Sequence, residues 1–165
     1  MIVAWTGHRP DLFRDASAAR AAVDQVAREL VATGSIDRFL VGGQRGVDTW
    51  AALGAHALDV PFTLVLPLEP DLFCQGWTSD DRRVLDETLG WAHDVQVIGG
   101  EPRAAYAERN RRLATSADLL IAVWTRTLGG GTAQTVAFAR QRGTPLREVL
   151  LEPSAAAAAA SGRGR

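Results

Sequence analysis

Short apolar runs alternate with helix-period segments along this chain, and that alternation constrains its fold more than any other feature. The runs are Ile2–Trp5, Arg38–Val41, Phe62–Leu66, Val95–Ile98, Leu119–Trp124 and Arg147–Leu151. Several are apolar at every position, as strands are when helices cover both faces of a parallel sheet. Between them, Asp15–Thr33 carries Ala19, Ala22, Val23, Val26, Ala27 and Leu30 at i, i+3, i+4 spacing, and Gly34 stops it. Gly46–Leu58 repeats that stripe with Val47, Trp50, Ala51, Gly54 and Leu58. Thr78 and Asp81 form a capping-box pattern opening a helix to about Leu89, and Arg103–Ser116 and Thr132–Arg142 complete the set. Such βαβ alternation predicts a Rossmann-like three-layer α/β/α fold with a mostly parallel sheet of about six strands.

The segment Pro67–Trp77 has two prolines, a glycine and no period, and reads as a long loop. From Pro153 the composition collapses to Ser, Ala, Gly and Arg. Residues 1–152 are therefore expected to form one domain, and 153–165 a disordered tail.

A chain of 165 residues can bury a core without staples. Its formal net charge of -1 argues against a general nucleic-acid binder, which would be basic. Cys74 is the sole cysteine, which excludes an intrachain disulfide or a cysteine zinc cage. The N-terminus enters an apolar run with no basic leader, and no run nears the ~18 apolar residues of a spanning helix. A cytoplasmic protein without a membrane partner is expected.

Three glycine-rich loops each follow a strand and precede a helix: Thr6-Gly7-His8-Arg9-Pro10, Gly42-Gly43-Gln44-Arg45-Gly46-Val47-Asp48 and Gly129-Gly130-Gly131-Thr132. In a parallel sheet all three emerge at the carboxyl edge, where open α/β sheets bind ligands. Glycines let backbone approach an anion, and the following helix offers unpaired N–H groups and the positive end of its dipole. Thr6 and Thr132 add hydroxyls, and Arg9 and Arg45 add charge. The spacing matches neither the dinucleotide fingerprint nor the triphosphate loop. A phosphate-bearing ligand cleft is expected, with no certain cofactor beyond a nucleotide-like ligand.

In Arg103–Ser116, Tyr106, Arg109, Asn110 and Leu113 share one face. An arginine on a face that turns inward either grips a phosphate or pairs with a carboxylate such as Asp48 or Asp118. Arg111 and Arg112 turn outward. His8 reads as an exposed loop histidine or a general acid–base, and with Arg109 it is the weak catalytic candidate. His56 and His93 read as surface residues. Asp48 is a helix-start carboxylate or a ligand contact, and Asp118 a turn or pairing residue. Trp5 and Trp124 end strands at the cleft edge, where they stack on a base or pack in the core. No nucleophile elbow or metal-ligand spacing is present.

These motifs together, Tyr106-x-x-Arg109-Asn110-x-x-Leu113, Ala117–Trp124 and Gly130-Gly131-Thr132, resemble the SLOG superfamily, which holds the Lonely Guy phosphoribohydrolases, DprA and the YpsA-like proteins. The first two glycine loops are most similar to the YpsA-like branch. The resemblance covers about Ile2 to Leu151. It implies a nucleotide or nucleotide-derived small-molecule ligand, a sensor role and a homodimer. It also implies two alternatives. One is a phosphoribohydrolase using Arg109, for which Thr135 stands where that family's glutamate belongs. The other is nucleic-acid binding of the DprA kind through Arg82, Arg83, Arg109, Arg111 and Arg112, which the charge balance disfavours.

Overall fold

The computed structural model of the chain describes residues 1–126 and 129–162. Six strands are present: β1 (Ile2–Gly7), β2 (Arg38–Val41), β3 (Phe62–Leu66), β4 (Asp94–Val97), β5 (Leu119–Trp124) and β6 (Leu146–Leu150). The helices are α1 (Ala16–Thr33), α2 (Val47–Ala57), α3 (Pro70–Phe73), α4 (Ser79–Trp91), α5 (Pro102–Thr115), α6 (Gly131–Arg142) and α7 (Ala155–Gly162). A 3-10 turn spans Pro10–Leu12. All neighbouring strands are parallel, in the order β4-β3-β2-β1-β5-β6. The expected Rossmann-like α/β/α sheet is thus present, and every strand pair in it is parallel.

The two-residue period of the central strand assigns the layers. Val3 and Trp5 point to one face and join α1, α2 and α4 through Val23, Ala51 and Leu85. Ala4 points the other way and packs with Leu113 and Ala114 of α5 and Ala139 of α6. Burying both faces requires apolar residues at successive strand positions, which is why β3 is buried throughout.

Helix starts follow local chemistry. Asp15 accepts from the Ala18 amide at 2.9 Å, and Thr78 Oγ1 accepts from the Asp81 amide at 3.1 Å. Glu101 accepts from the Arg103 and Ala104 amides, with Pro102 at the first helical position.

One expectation is corrected: the long loop after β3 contains α3, whose Phe73 is buried against the core. Within the segment expected to be a tail, Ala155–Gly162 form α7. Alanine has the highest helix propensity, and Ser154 Oγ accepts from the Ala157 amide at 3.2 Å to start the helix. The chain just before it is pinned: Arg14 N donates to Glu152 O, and Ser154 N to Leu12 O, both at 2.9 Å. Residues 163–165 lie outside the described residues.

Candidate functional site

Strand order reverses at β1, whose neighbours are β2 and β5. The chain leaves β1 and β5 in opposite directions there, which opens a crevice at their carboxyl ends. A cleft of about 740 Å³ occupies that position, within the ~300–1,000 Å³ range of small-molecule sites. Thr6, Gly7, His8 and Arg9 line it from the first loop, Gln44 and Asp48 from the second, and Gly129, Gly130, Gly131 and Thr132 from the third. Arg109 and Asn110 of α5, also expected, line it as well.

The remaining expected residues lie elsewhere. Gly42, Gly43, Arg45, Gly46 and Trp124 are not among the described residues lining the cleft. Arg45 turns to α4, where Nη1 meets Asp81 Oδ2 at 3.2 Å and the guanidinium sits 5.4 Å from the Trp77 ring centre. Trp124 is buried, and its Nε1 donates to Glu148 Oε1 at 3.1 Å. Trp5 is fully buried edge-on to Phe39. Asp118 is a pairing residue that accepts from the Ile2 amide at 2.7 Å.

The second loop's glycines answer to the protein's own packing. A Cβ on Gly42 would lie 2.6 Å from Asp48 Oδ2 and 2.9 Å from Arg109 Cζ, so glycine makes room for that ion pair. Gly43 turns at φ +74° against the Leu66 side chain. Gly46 has φ +92°, and a Cβ there would lie 2.5 Å from the His8 carbonyl oxygen. Gly46→Ala should therefore destabilise the fold by about 2 kcal/mol, combining positive-φ strain with a backbone overlap. An unchanged urea midpoint for that variant would contradict this account.

Arg109 and Asp48 form a buried pair. Arg109 Nη1 donates to Asp48 Oδ2 at 3.2 Å, and the same oxygen accepts from the Gln44 amide at 3.2 Å. Burial pushes the Asp48 carboxyl up from its usual range, and Arg109 opposes that shift. Arg109 Nε has no partner among the described residues. Of the two sequence readings, the carboxylate pairing is realised, on the wall of the cleft.

His8 differs from the exposed loop histidine expected. It is 4% exposed, its amide donates to Val123 O at 3.3 Å, and its Nε2 lies 3.4 Å from Thr125 Oγ1. Desolvation lowers its pKa to about 4, so the ring is neutral at pH 7. His56 and His93 are exposed, and His56 stacks on Trp91 at 4.1 Å.

The two helices that begin beside the cleft differ in what their first turns still need. At α2, the Val47 amide donates to His8 O and the Thr49 amide to Gln44 O, and the Asp48 carboxylate sits in that turn. At α6, Gly130 is the N-cap, and among the described residues no acceptor is found for the first-turn amides. Such amides are available to an external acceptor. The cleft is lined by Arg9, Arg103 and Arg109 and by the carboxylate of Asp48; Asp48 pairs with Arg109, and Arg9 lies 3.6 Å from Asp11 outside the lining.

Leu12, Arg103, Tyr106, Ala107 and Gln134 also line the cleft and were missed by sequence reasoning. Arg103, Tyr106, Ala107 and Asn110 are spaced i, i+3, i+4, i+7, so extending the Tyr106–Leu113 stripe one turn back would have found most of them. Thr135, at the position of the Lonely Guy glutamate, is fully buried, and its Oγ1 donates to Gly131 O at 2.8 Å. Of the arginines considered for nucleic acid, Arg82 pairs with Asp71 and Asp86, Arg83 with Glu87 and Arg111 with Glu108 on the surface, Arg112 Nη1 donates to Gln96 Oε1 at 3.3 Å, and Arg109 is the buried partner of Asp48.

A model of the circularly permutated YpsA SLOG family matches residues 39–161. The chain belongs to that family. No curated protein matches it. Among solved structures, this SLOG chain is similar to DNA processing protein A from Helicobacter pylori, with TM-score 0.68 and 19% identity over 100% of this chain and 74% of that one. DprA from Streptococcus pneumoniae gives TM-score 0.61 and 20% identity over 88% of this chain and 49% of that one. The Moco carrier protein from Chlamydomonas reinhardtii gives 0.60 and 23% over 98% and 82%. At these identities the likeness establishes a shared SLOG-type fold.

Proposed function

We propose that this chain binds a phosphorylated, nucleotide-class small molecule in the cleft at the β1/β5 switch, with the phosphate on the N-terminus of α6. The observation that carries this reading is the contrast between the two helix starts. Two first-turn amides of α2 donate to His8 O and Gln44 O, whereas among the described residues no partner is found for the first-turn amides of α6. An anion there meets backbone amides and the helix dipole, in a cleft that Arg103 also lines. Membership of a SLOG family and the nucleic-acid and cofactor associations in the neighbours' names agree with a nucleotide-class ligand.

Ligand holding is favoured over glycosidic hydrolysis. An oxocarbenium-like centre needs a carboxylate beside it, and Asp48, the one carboxylate among the described lining residues, is committed to Arg109. Thr135 is buried and bonded within its own helix.

The test is thermal denaturation with and without nucleoside monophosphates, NAD and ADP-ribose. A ligand at 100 times its Kd should add about 2.7 kcal/mol of stability. Arg103 is exposed at the cleft wall, so Arg103→Ala should weaken binding of the stabilising nucleotide about tenfold while leaving the unliganded midpoint unchanged. Absence of stabilisation by every phosphorylated compound would sink the proposal.

A further inference from the structure

Glu148 of β6 accepts four side-chain hydrogen bonds. Its Oε1 accepts from Trp124 Nε1 and Arg126 Nε, both at 3.1 Å, and its Oε2 from Arg126 Nη2 at 2.8 Å and Arg140 Nη2 at 3.2 Å. The Arg126 contact is bidentate, a geometry that adds direction as well as strength. Glu148 reaches these donors because β6 pairs with β5, where Ala122 stands opposite it, and α6 packs on Ala122 and Trp124 through Val136. Its side chain is 16% exposed, so water competes weakly for the two oxygens.

The three donors bracket the third glycine loop. Trp124 ends β5, Arg126 follows it, and Arg140 lies on α6 beyond residues 129–132. One carboxylate on a neighbouring strand thus ties the chain down on both sides of that loop. Arg126 also has φ +62°, in the left-handed region that residues with a β-carbon rarely adopt. The other such residue among those described is Asp59, of a type that tolerates this region. An arginine held there needs an external restraint, and the Glu148 carboxylate supplies it. The turn at Arg126 directs the chain from β5 towards α6, so it sets where that helix begins.

Resting on the phosphate reading above, we infer that Glu148 is a positioning residue for the cleft, fixing the start of α6 through Arg126 and Arg140. Neither Glu148 nor Arg126 is among the described residues lining the cleft, so their effect on binding passes through position rather than contact. Without the carboxylate, residue 126 returns to negative φ in most molecules. Only the remaining fraction presents the α6 amides to the cleft, and apparent affinity falls in proportion to it.

Calorimetric titration with adenosine monophosphate and ADP-ribose tests this on the full chain, well below each variant's unfolding midpoint. Under those conditions Kd reports the folded molecule, and a role confined to fold stability leaves it unchanged. Arg126→Ala should weaken binding about tenfold, the cost of a left-handed residue expressed as a population. Arg126→Gly removes the same charge but accepts positive φ, and should stay within about twofold of the unaltered chain. Glu148→Gln should weaken binding about tenfold, although it removes a negative charge, and adding Arg126→Gly should recover most of that loss. The two Arg126 variants alter an exposed side chain and keep the test available if Glu148→Gln does not fold. Equal Kd values for the alanine and glycine variants overturn the proposal, as does an unchanged Kd for Glu148→Gln, and either result leaves the phosphate reading standing. If neither probe binds the unaltered chain, the phosphate reading itself fails, and the positioning role with it.

Discussion

Asp48→Ala should cost the fold about 3–5 kcal/mol, the range for removing one partner of a buried ion pair. Asp48 and Arg109 side chains are 5% and 8% exposed, and a Cβ on Gly42 would meet both, so the guanidinium left behind is largely desolvated although it lines the cleft. An arginine cannot shed its proton to escape burial. The reverse substitution should be milder. With Arg109→Met, the carboxyl that burial already pushes upward loses the group that holds it down, and it can become neutral. That variant should therefore gain stability as pH falls, because a carboxyl with a raised folded-state pKa binds its proton more readily in the native than in the unfolded chain. Combining both changes should recover most of the Asp48→Ala loss. Urea unfolding of the three variants at pH 7 and pH 5 reads all of this. A cost below about 1 kcal/mol for Asp48→Ala would mean that Arg109 finds another partner.

The second large effect is the acid sensitivity set by His8. Its folded-state pKa is depressed from 6.5 to about 4 by desolvation. Below pH 6.5 the unfolded chain takes up a proton that the native chain does not, so stability declines as pH falls from 6.5 towards 4. A shift of that size corresponds to about 3 kcal/mol over the window. His8→Gln should flatten the wild-type slope there by about that amount. Paired carboxylates such as Glu29 and Glu148, whose pKa values are lowered by arginine partners, contribute to acid loss in both proteins and cancel in the comparison. Identical slopes for the two proteins between pH 4 and 6.5 would show that His8 is hydrated in the native state.

His8 also marks where sequence reading stops. As a lone histidine in a glycine loop it reads as exposed. Burial comes from residues distant in sequence: Val123 takes its amide, Val47 donates to its carbonyl, and Phe13 and Trp124 stand beside the ring. The tail behaves similarly. Its alanines carry helix propensity, but the order of the segment before them depends on Leu12 and Arg14, far away along the chain.

What the sequence determined by itself was everything governed by short-range periodicity and steric rules. The six apolar runs, the i, i+3, i+4 stripes and the Thr78–Asp81 cap are local, and each sits within a residue or two of its place in the structure. That the glycine loops gather at one sheet edge followed too, because parallel strands leave no other arrangement. Only the tertiary structure decided what each loop does there. Arg109 meets Asp48 across 61 positions, Asn110 meets Gln134 across 24, and Arg45 leaves the cleft for Asp81 across 36. Motifs of similar composition therefore divide into an internally filled second loop and an open start of α6. Which donors remain for a ligand depends on which are already taken, and that is settled by contacts between distant segments rather than by the residues within any one of them.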